Sequence, residues 1–337
     1  MGYLNKCQGA VVAAATMFFS ASPVLAHHSE AGFDTDRVVA FVGTVIEYSW
    51  RNPHVYIDVE DPNSLNGEMI WEIETGATPI MRRSGWAPNS LTAGDVISIR
   101  AHPERGTDRN YALFVSLEKE NGDILSQTSG DPQVIAVATT LEGTWKGFGP
   151  SLEPFRRAFN QIPLTEIGLD AKEAYNFYED APAAMCVAPS SPHIISTGLY
   201  VTEIELMEDR VVFHNEFFDA ERIVYMDGRG HATEQERSTQ GHSIGWWEDD
   251  VLVVDTTHFS DHRIGNGTGV PSGPQKHLIE RYQLSEDRTR LVIEVTLTDP
   301  EYLSEPFAGT LEWRYTPEFE LFRYDCDFEV SRRFRLD

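Results

Sequence analysis

Residues 241–259 read GHSIGWWEDDVLVVDTTHF. Two runs rich in β-branched and aromatic residues flank the acidic triplet Glu248-Asp249-Asp250, which predicts two antiparallel strands joined by a tight turn. If the turn is the pair Asp249-Asp250, then His242, Ile244, Trp246, Val251, Val253 and Asp255 share one face. A three-residue turn would flip one strand, pair Ser243, Gly245 and Trp247 with Val251 and Asp255, and move His242 to the other side. The face holding His242 is expected to line an interior.

Working outward, hairpins of the same kind recur: 198–208 with 210–216, 222–226, 276–284 with 290–299, and 309–315 with 321–328. Nine or so antiparallel strands at this spacing predict an up-and-down barrel over 141–337. The stretch between Trp145 and Pro192 is Pro-containing, with one amphipathic helix expected near Asp170 to Tyr178. Gly265-Asn266-Gly267-Thr268-Gly269 lacks the Lys and the strand-to-helix context of a phosphate loop and is expected to be a flexible loop at a barrel mouth. Upstream, 126–140 is small and polar with a Gly-Asp-Pro turn, as a linker is. Before it, residues 27–125 give three alternating strands (40–50, 54–60, 69–75), a short helix (79–85) and two more strands (95–102, 111–118). That is the element order of an OB-like small barrel. The fold class is all-β, with two domains.

Residues 1–26 carry the pattern of a secretory signal: Lys6, an apolar run from Ala10 to Phe19, and Val24-Leu25-Ala26 as a small-residue cleavage site. Cleavage makes His27 the first mature residue, with a periplasmic or secreted destination. The run is too short to span a bilayer, so no stable membrane insertion is expected. Lys and Arg number 27 against 53 Asp and Glu, for a net charge of −26. Such a surface repels nucleic acid. Of three cysteines, Cys186 and Cys326 survive cleavage, an even pair suited to a disulfide in an oxidising compartment.

Gly143-Thr144-Trp145 resembles the opening of a lipocalin-type barrel, where the Trp plugs one end, and Arg332-Arg333-Phe334-Arg335 sits where such barrels place an arginine over it. His27-His28-Ser29, Gly43-Thr44-Val45 and Asn52-Pro53-His54 are similar to an uncharacterised family of small exported bacterial β domains. The second domain likewise resembles uncharacterised exported proteins around 227–231, 241–248 and Asp299-Pro300. These resemblances imply architecture and leave function open.

Three constellations carry chemistry. After cleavage the amino group, His27, His28 and then His54 could chelate copper or zinc, an arrangement that resembles the histidine brace of copper monooxygenases and periplasmic copper carriers. His54 hydrogen-bonded to a backbone group is the plain alternative. In the second barrel, His242 and Asp255 form a candidate acid-base dyad beside Ile244, Trp246 and Val253 as substrate contacts. Glu280 or Arg281 is expected to join them, Glu280 as a catalytic group and Arg281 as a substrate contact or a cross-strand ion pair. His214, His231 and His258 read as single, satisfied histidines. Three functions follow: an isomerase, cyclase or lyase acting on a small apolar or amphipathic molecule inside the barrel, a non-catalytic carrier of such a ligand, or a copper- or zinc-binding protein.

Overall fold

The computed structural model describes residues 32–62, 69–106, 109–128, 132, 134–231 and 236–333. The signal segment and the mature-terminus histidines His27 and His28 lie outside these residues. No helix among them is long and apolar enough to cross a membrane.

The first unit runs β1 (Val39–Ser49), β2 (Tyr56–Asp61), β3 (Met69–Glu74), α1 (Thr78–Arg83), β4 (Val96–Pro103), β5 (Tyr111–Lys119) and β6 (Ile124–Ser126). The order β3-β2-β1-β4-β5, with β3 pairing β5 in parallel, closes five strands into a small barrel. Strict alternation drives this. Ile57, Val59, Ile73, Ile97, Ile99, Ala112 and Phe114 point inward and are buried with Met81 and Trp86, while their neighbours in sequence form the outer face.

The second unit runs β7 (Gly143–Gly147), α2 (Gly149–Phe159), α3 (Glu166–Glu173), a single turn α4 (Phe177–Asp180), β8 (Val201–Leu206), β9 (Arg210–Asn215), β10 (Ala220–Tyr225), β11 (His242–Glu248), β12 (Val251–Thr257), β13 (His277–Leu284), β14 (Arg290–Thr298) and β15 (Phe307–Tyr315). Among the described residues, nine strands close a second barrel in the order β10-β11-β12-β13-β14-β15-β7-β8-β9. All neighbours are antiparallel except β10 and β11, which run parallel through Val224–Ser243 and Tyr225–Ile244. The barrel is therefore not a pure up-and-down meander.

Its interior is packed with side chains. Trp145, Leu252, Val254, Leu278, Tyr282, Ile293, Leu311 and Trp313 belong to one core with Phe155 and Phe159 of α2. A cavity of about 20 Å³ remains, lined by Ser191, Phe213, Arg222, Gln240 and Trp313 among others. That is room for about one water molecule.

Several expectations are corrected. The helix expected at 170–178 begins at Glu166 and breaks at Ala174, and α2 is a further helix in the Pro-containing stretch where one was expected. Pro150 falls in the first turn, where a missing N–H costs nothing. The Gly-rich segment is a packed plug: Asn266 donates to Asp299 (2.6 Å) and to the Pro271 carbonyl (2.6 Å), and the buried Lys276 ammonium donates to the Gly265 carbonyl (2.6 Å). Among the described residues no arginine covers Trp145, whose ring lies 4.9 Å from that of Tyr315. Arg333 instead sits 4.9 Å over the Tyr56 ring of the first barrel.

Residues 321–328, expected as a hairpin strand, form part of a tail that crosses to the first barrel. Asn52 donates to the Thr78 hydroxyl and the Tyr324 carbonyl, and its own carbonyl accepts from the Asp327 N–H at 2.9 Å. Cys326 is bonded to Cys186. A second tie is the buried pair Arg83–Glu216, at 2.5 Å.

Candidate functional site

The β11–β12 register places Ile244 opposite Asp255, Trp246 opposite Val253 and Glu248 opposite Val251. The turn is thus the two residues Asp249 and Asp250, and His242, Ile244, Trp246, Val253 and Asp255 share one face. β13 adds Ile279 opposite Asp255 and Arg281 opposite Val253. This face is the outside of the wall. The residues that enter the core are the alternates Leu252, Val254, Leu278 and Tyr282, and Trp246 is 41% exposed. An interior location for the His242–Asp255 face is corrected accordingly.

Glu280 is corrected too. Successive side chains on a strand point oppositely, so it enters the barrel while Asp255 leaves it. Arg222 donates to Glu280 at 2.5 Å, to the Tyr282 hydroxyl at 2.9 Å and to Ser191 at 3.1 Å, and Tyr282 donates to Glu280 at 3.1 Å. Both ions are buried. Glu280 belongs to this internal pair. Arg281 lies on the outer face, donating to Glu248 at 2.8 Å with Glu294 at 3.9 Å.

On the outer wall the histidines form a chain. His277 Nε2 lies 2.8 Å from Asp255 Oδ1, His231 Nε2 lies 3.0 Å from the same oxygen, and His231 Nδ1 lies 2.9 Å from His242 Nδ1. His242 stacks on Tyr225 with ring centres 5.4 Å apart, and His258 stands 6.3 Å from His242. His242 and Asp255 are thus joined through His231 rather than directly. His231, in the 226–241 connection, is corrected from a single, satisfied histidine to the link between His242 and Asp255, and His277, at the start of β13, is a functional candidate that sequence reasoning passed over. His277 has the parity of Arg281, a signal that was available. His231 lies in a loop with no periodicity to reveal it.

Hydrogen-bond chemistry orders this chain. With neutral imidazoles, a carboxylate oxygen can only accept, so His231 presents Nε2–H to Asp255 and its Nδ1 becomes an acceptor. His242 must then donate through Nδ1–H, which leaves Nε2 of His242 as a lone pair. The two ends are tuned oppositely. Burial, with His231, His258 and Arg229 nearby, lowers the His242 pKa. The hydrogen bond to Asp255 and its charge raise that of His277. Burial alone would raise the Asp255 carboxyl, but the hydrogen bonds from His277 and His231 hold it below the usual carboxylate range.

In the first barrel, His54 Nδ1 lies 2.8 Å from the Thr75 carbonyl and 3.3 Å from Glu74. The backbone bond is made, and a metal would have to use Nε2. Among the described residues, no three His, Cys, Asp or Glu side chains are arranged to hold a metal ion. His214 lies 3.4 Å from both Glu205 and Glu221.

A family of unknown function, DUF6152, matches residues 15–112, which takes in most of the first barrel and none of the second. No curated protein matches the chain. Among solved structures the chain is similar to the crystal structure of a single-residue mutant of the fluorescent protein UnaG, at 14% identity and a TM-score of 0.24, over 52% of this chain and 95% of that one.

Proposed function

We propose that this is an exported, periplasmic or secreted enzyme that moves a proton on a small amphipathic molecule at the outer wall of its second barrel, an isomerase or lyase. One observation carries this: a continuous chain, His242–His231–Asp255–His277, whose ends lean toward opposite protonation states. Environments that push neighbouring pKa values apart divide acid from base. His242 Nε2 takes the proton as general base, and His277, held toward the imidazolium by Asp255, returns one. Asp255 and His231 fix the imidazole orientations. Ile244 and Trp246 provide the apolar surface beside them, and Arg281 borders it; Val253, expected as a substrate contact, is 1% exposed and presents no surface to a ligand. A carrier would instead use room inside the barrel, and the cavity beside Arg222 and Trp313 holds about 20 Å³. Export rests on the signal-like leader and on the disulfide.

The test needs no known substrate. Mature protein is incubated with small-molecule extract in D₂O, and metabolites are searched for deuterium gained at carbon. His242→Ala and Asp255→Asn should each slow the exchange roughly a hundredfold, the size expected for a positioned acid or base. Exchange that proceeds equally in both variants, or in none of the extracts with the native protein, defeats the reading.

A further inference from the structure

The connection from β12 to β13, residues 258–276, holds no helix or strand, yet most of it is buried. It closes the end of the second barrel at which β11 begins, since His242 pairs with Thr257, the last residue of β12. β10 runs parallel to β11, so Arg222, the third residue of β10, stands near the same end. A buried loop must find partners for its own backbone. This one folds on itself, the Asn266 N–H donating to the Val270 carbonyl at 2.9 Å, and the Gly273 N–H donates to Asp299 at 2.6 Å.

Two ionisable groups lie at its centre, Lys276 at 1% exposed and His262 at 4%. The Lys276 ammonium donates to the Gly265 carbonyl (2.6 Å) and to the Ser190 (3.1 Å) and Ser272 (3.3 Å) hydroxyls, and it lies 4.5 Å over the Phe259 ring. All of these partners are uncharged. Asp299 and Glu280 are the carboxylates whose charge reaches it, but Asp299 is held by Asn266 and Gly273, and Glu280 by Arg222. Neither ring nitrogen of His262 makes a well-formed hydrogen bond, and the charged group beside it is Lys276. Arg237 and Arg263 hold the loop from outside through the Phe259, Pro274 and Gly269 carbonyls. Guanidinium groups keep their charge, so these two do not switch. His277, the next residue, points the other way, to Asp255.

A buried ammonium among neutral oxygens costs free energy that a neutral amine does not. Burial lowers the Lys276 pKa to about 7 against the pull of Asp299 and Glu280, and burial with Lys276 nearby lowers that of His262 to about 4. Both groups hold a proton more tightly once released to water. The closed loop therefore gains as pH rises through the His262 window, about 4 to 6.5, and again through the Lys276 window, about 7 to 10.5, and loses both on the way down. The interior would feel the loss. Ser190 accepts from Lys276, while its neighbour Ser191 accepts from Arg222 and lines the cavity. We propose that residues 258–276 are an acid-released plug: with Lys276 and His262 uncharged it seals the barrel end over Arg222, and protons taken up by these two side chains drive it off Ser190.

Amide hydrogen exchange of the mature full chain tests this, read by mass spectrometry from about pH 4.5 to 9 and corrected for intrinsic rates, because local opening is what such exchange reports. Strand β14 serves as the internal reference for global unfolding. Protection of 258–276 relative to β14 should rise by up to about tenfold per pH unit between about pH 4.5 and 6 and again between about pH 7.5 and 9, the slope of one proton in each window. Lys276→Met should flatten the upper rise and His262→Phe the lower one. A plug whose protection follows β14 at every pH, or rises that survive both substitutions, would overturn the proposal. If Lys276→Met does not fold, the native profile and His262→Phe still decide it.

Discussion

Glu280 offers the sharpest test of the division between barrel interior and outer wall. It is 0% exposed and its partner Arg222 is 5% exposed, so neither charge is screened by solvent. Burial would pull the Arg222 guanidinium pKa down, but Glu280 and Tyr282 more than offset it. Glu280→Gln keeps the shape and deletes the anion, leaving a buried, unpaired cation, which costs about 3–5 kcal/mol. At about 2–4 °C per kcal/mol for a chain of this size class, the melting temperature should fall by about 6–20 °C. Replacing the pair, Arg222→Met with Glu280→Leu, removes the charges but strands the Tyr282 hydroxyl, worth about 1–3 kcal/mol. Adding Tyr282→Phe should return most of the stability. Urea unfolding at pH 7 with the disulfide intact reads all three. A loss under about 1 kcal/mol for Glu280→Gln, or a triple variant no better than the single one, would refute the buried-pair account.

Further outcomes follow from other parts of the molecule. The raised His277 pKa makes its pairing with Asp255 stabilising below the ordinary imidazole range, a contribution lost as pH rises through the folded value; the lowered Asp255 pKa loses its contribution as pH falls through its own folded value. Unfolding curves of native protein and Asp255→Asn should therefore differ most between about pH 4 and 6.5, and a difference that grows above pH 8 contradicts the assignment. Cys186 and Cys326 are 140 residues apart, so Cys326→Ser should cost up to about 5 kcal/mol on the loop-entropy account, read by denaturation of both forms. Intact mass of exported protein should lack residues 1–26 and show both cysteines oxidised; retention of Met1 would sink the export reading.

Much of the fold was legible because alternation is a strong signal. The strands of both barrels stand near where period-2 patterning placed them, and the closed strand order of the first barrel was implied by its element sequence. What alternation cannot supply is the direction of a face or the identity of a partner. Val251-Leu252-Val253-Val254 is apolar on both sides, so the hairpin's parity grouped His242 with Asp255 but left inside and outside undetermined. Residues 321–328 look extended, yet they form no strand: Asp325 is left-handed and only Cys326 bridges, to Asn52 of the other barrel. His231 joins the site through a loop, where no periodicity exists to place it.

Parity of strand number explains why that loop is there. Antiparallel neighbours alternate up and down, and an odd ring cannot alternate all the way round. Both barrels are odd, with five and nine strands among the described residues, and each contains one parallel contact, β3–β5 and β10–β11. Parallel neighbours cannot be joined by a tight hairpin. The chain must leave the wall after Tyr225 and return at His242, and the excursion between them lays His231 against Asp255. A closure defect imposed by counting thus requires extra chain at this point of the wall. A ten-stranded relative with an all-antiparallel wall would have no cause to keep that excursion, and with it would lose the middle link between His242 and Asp255.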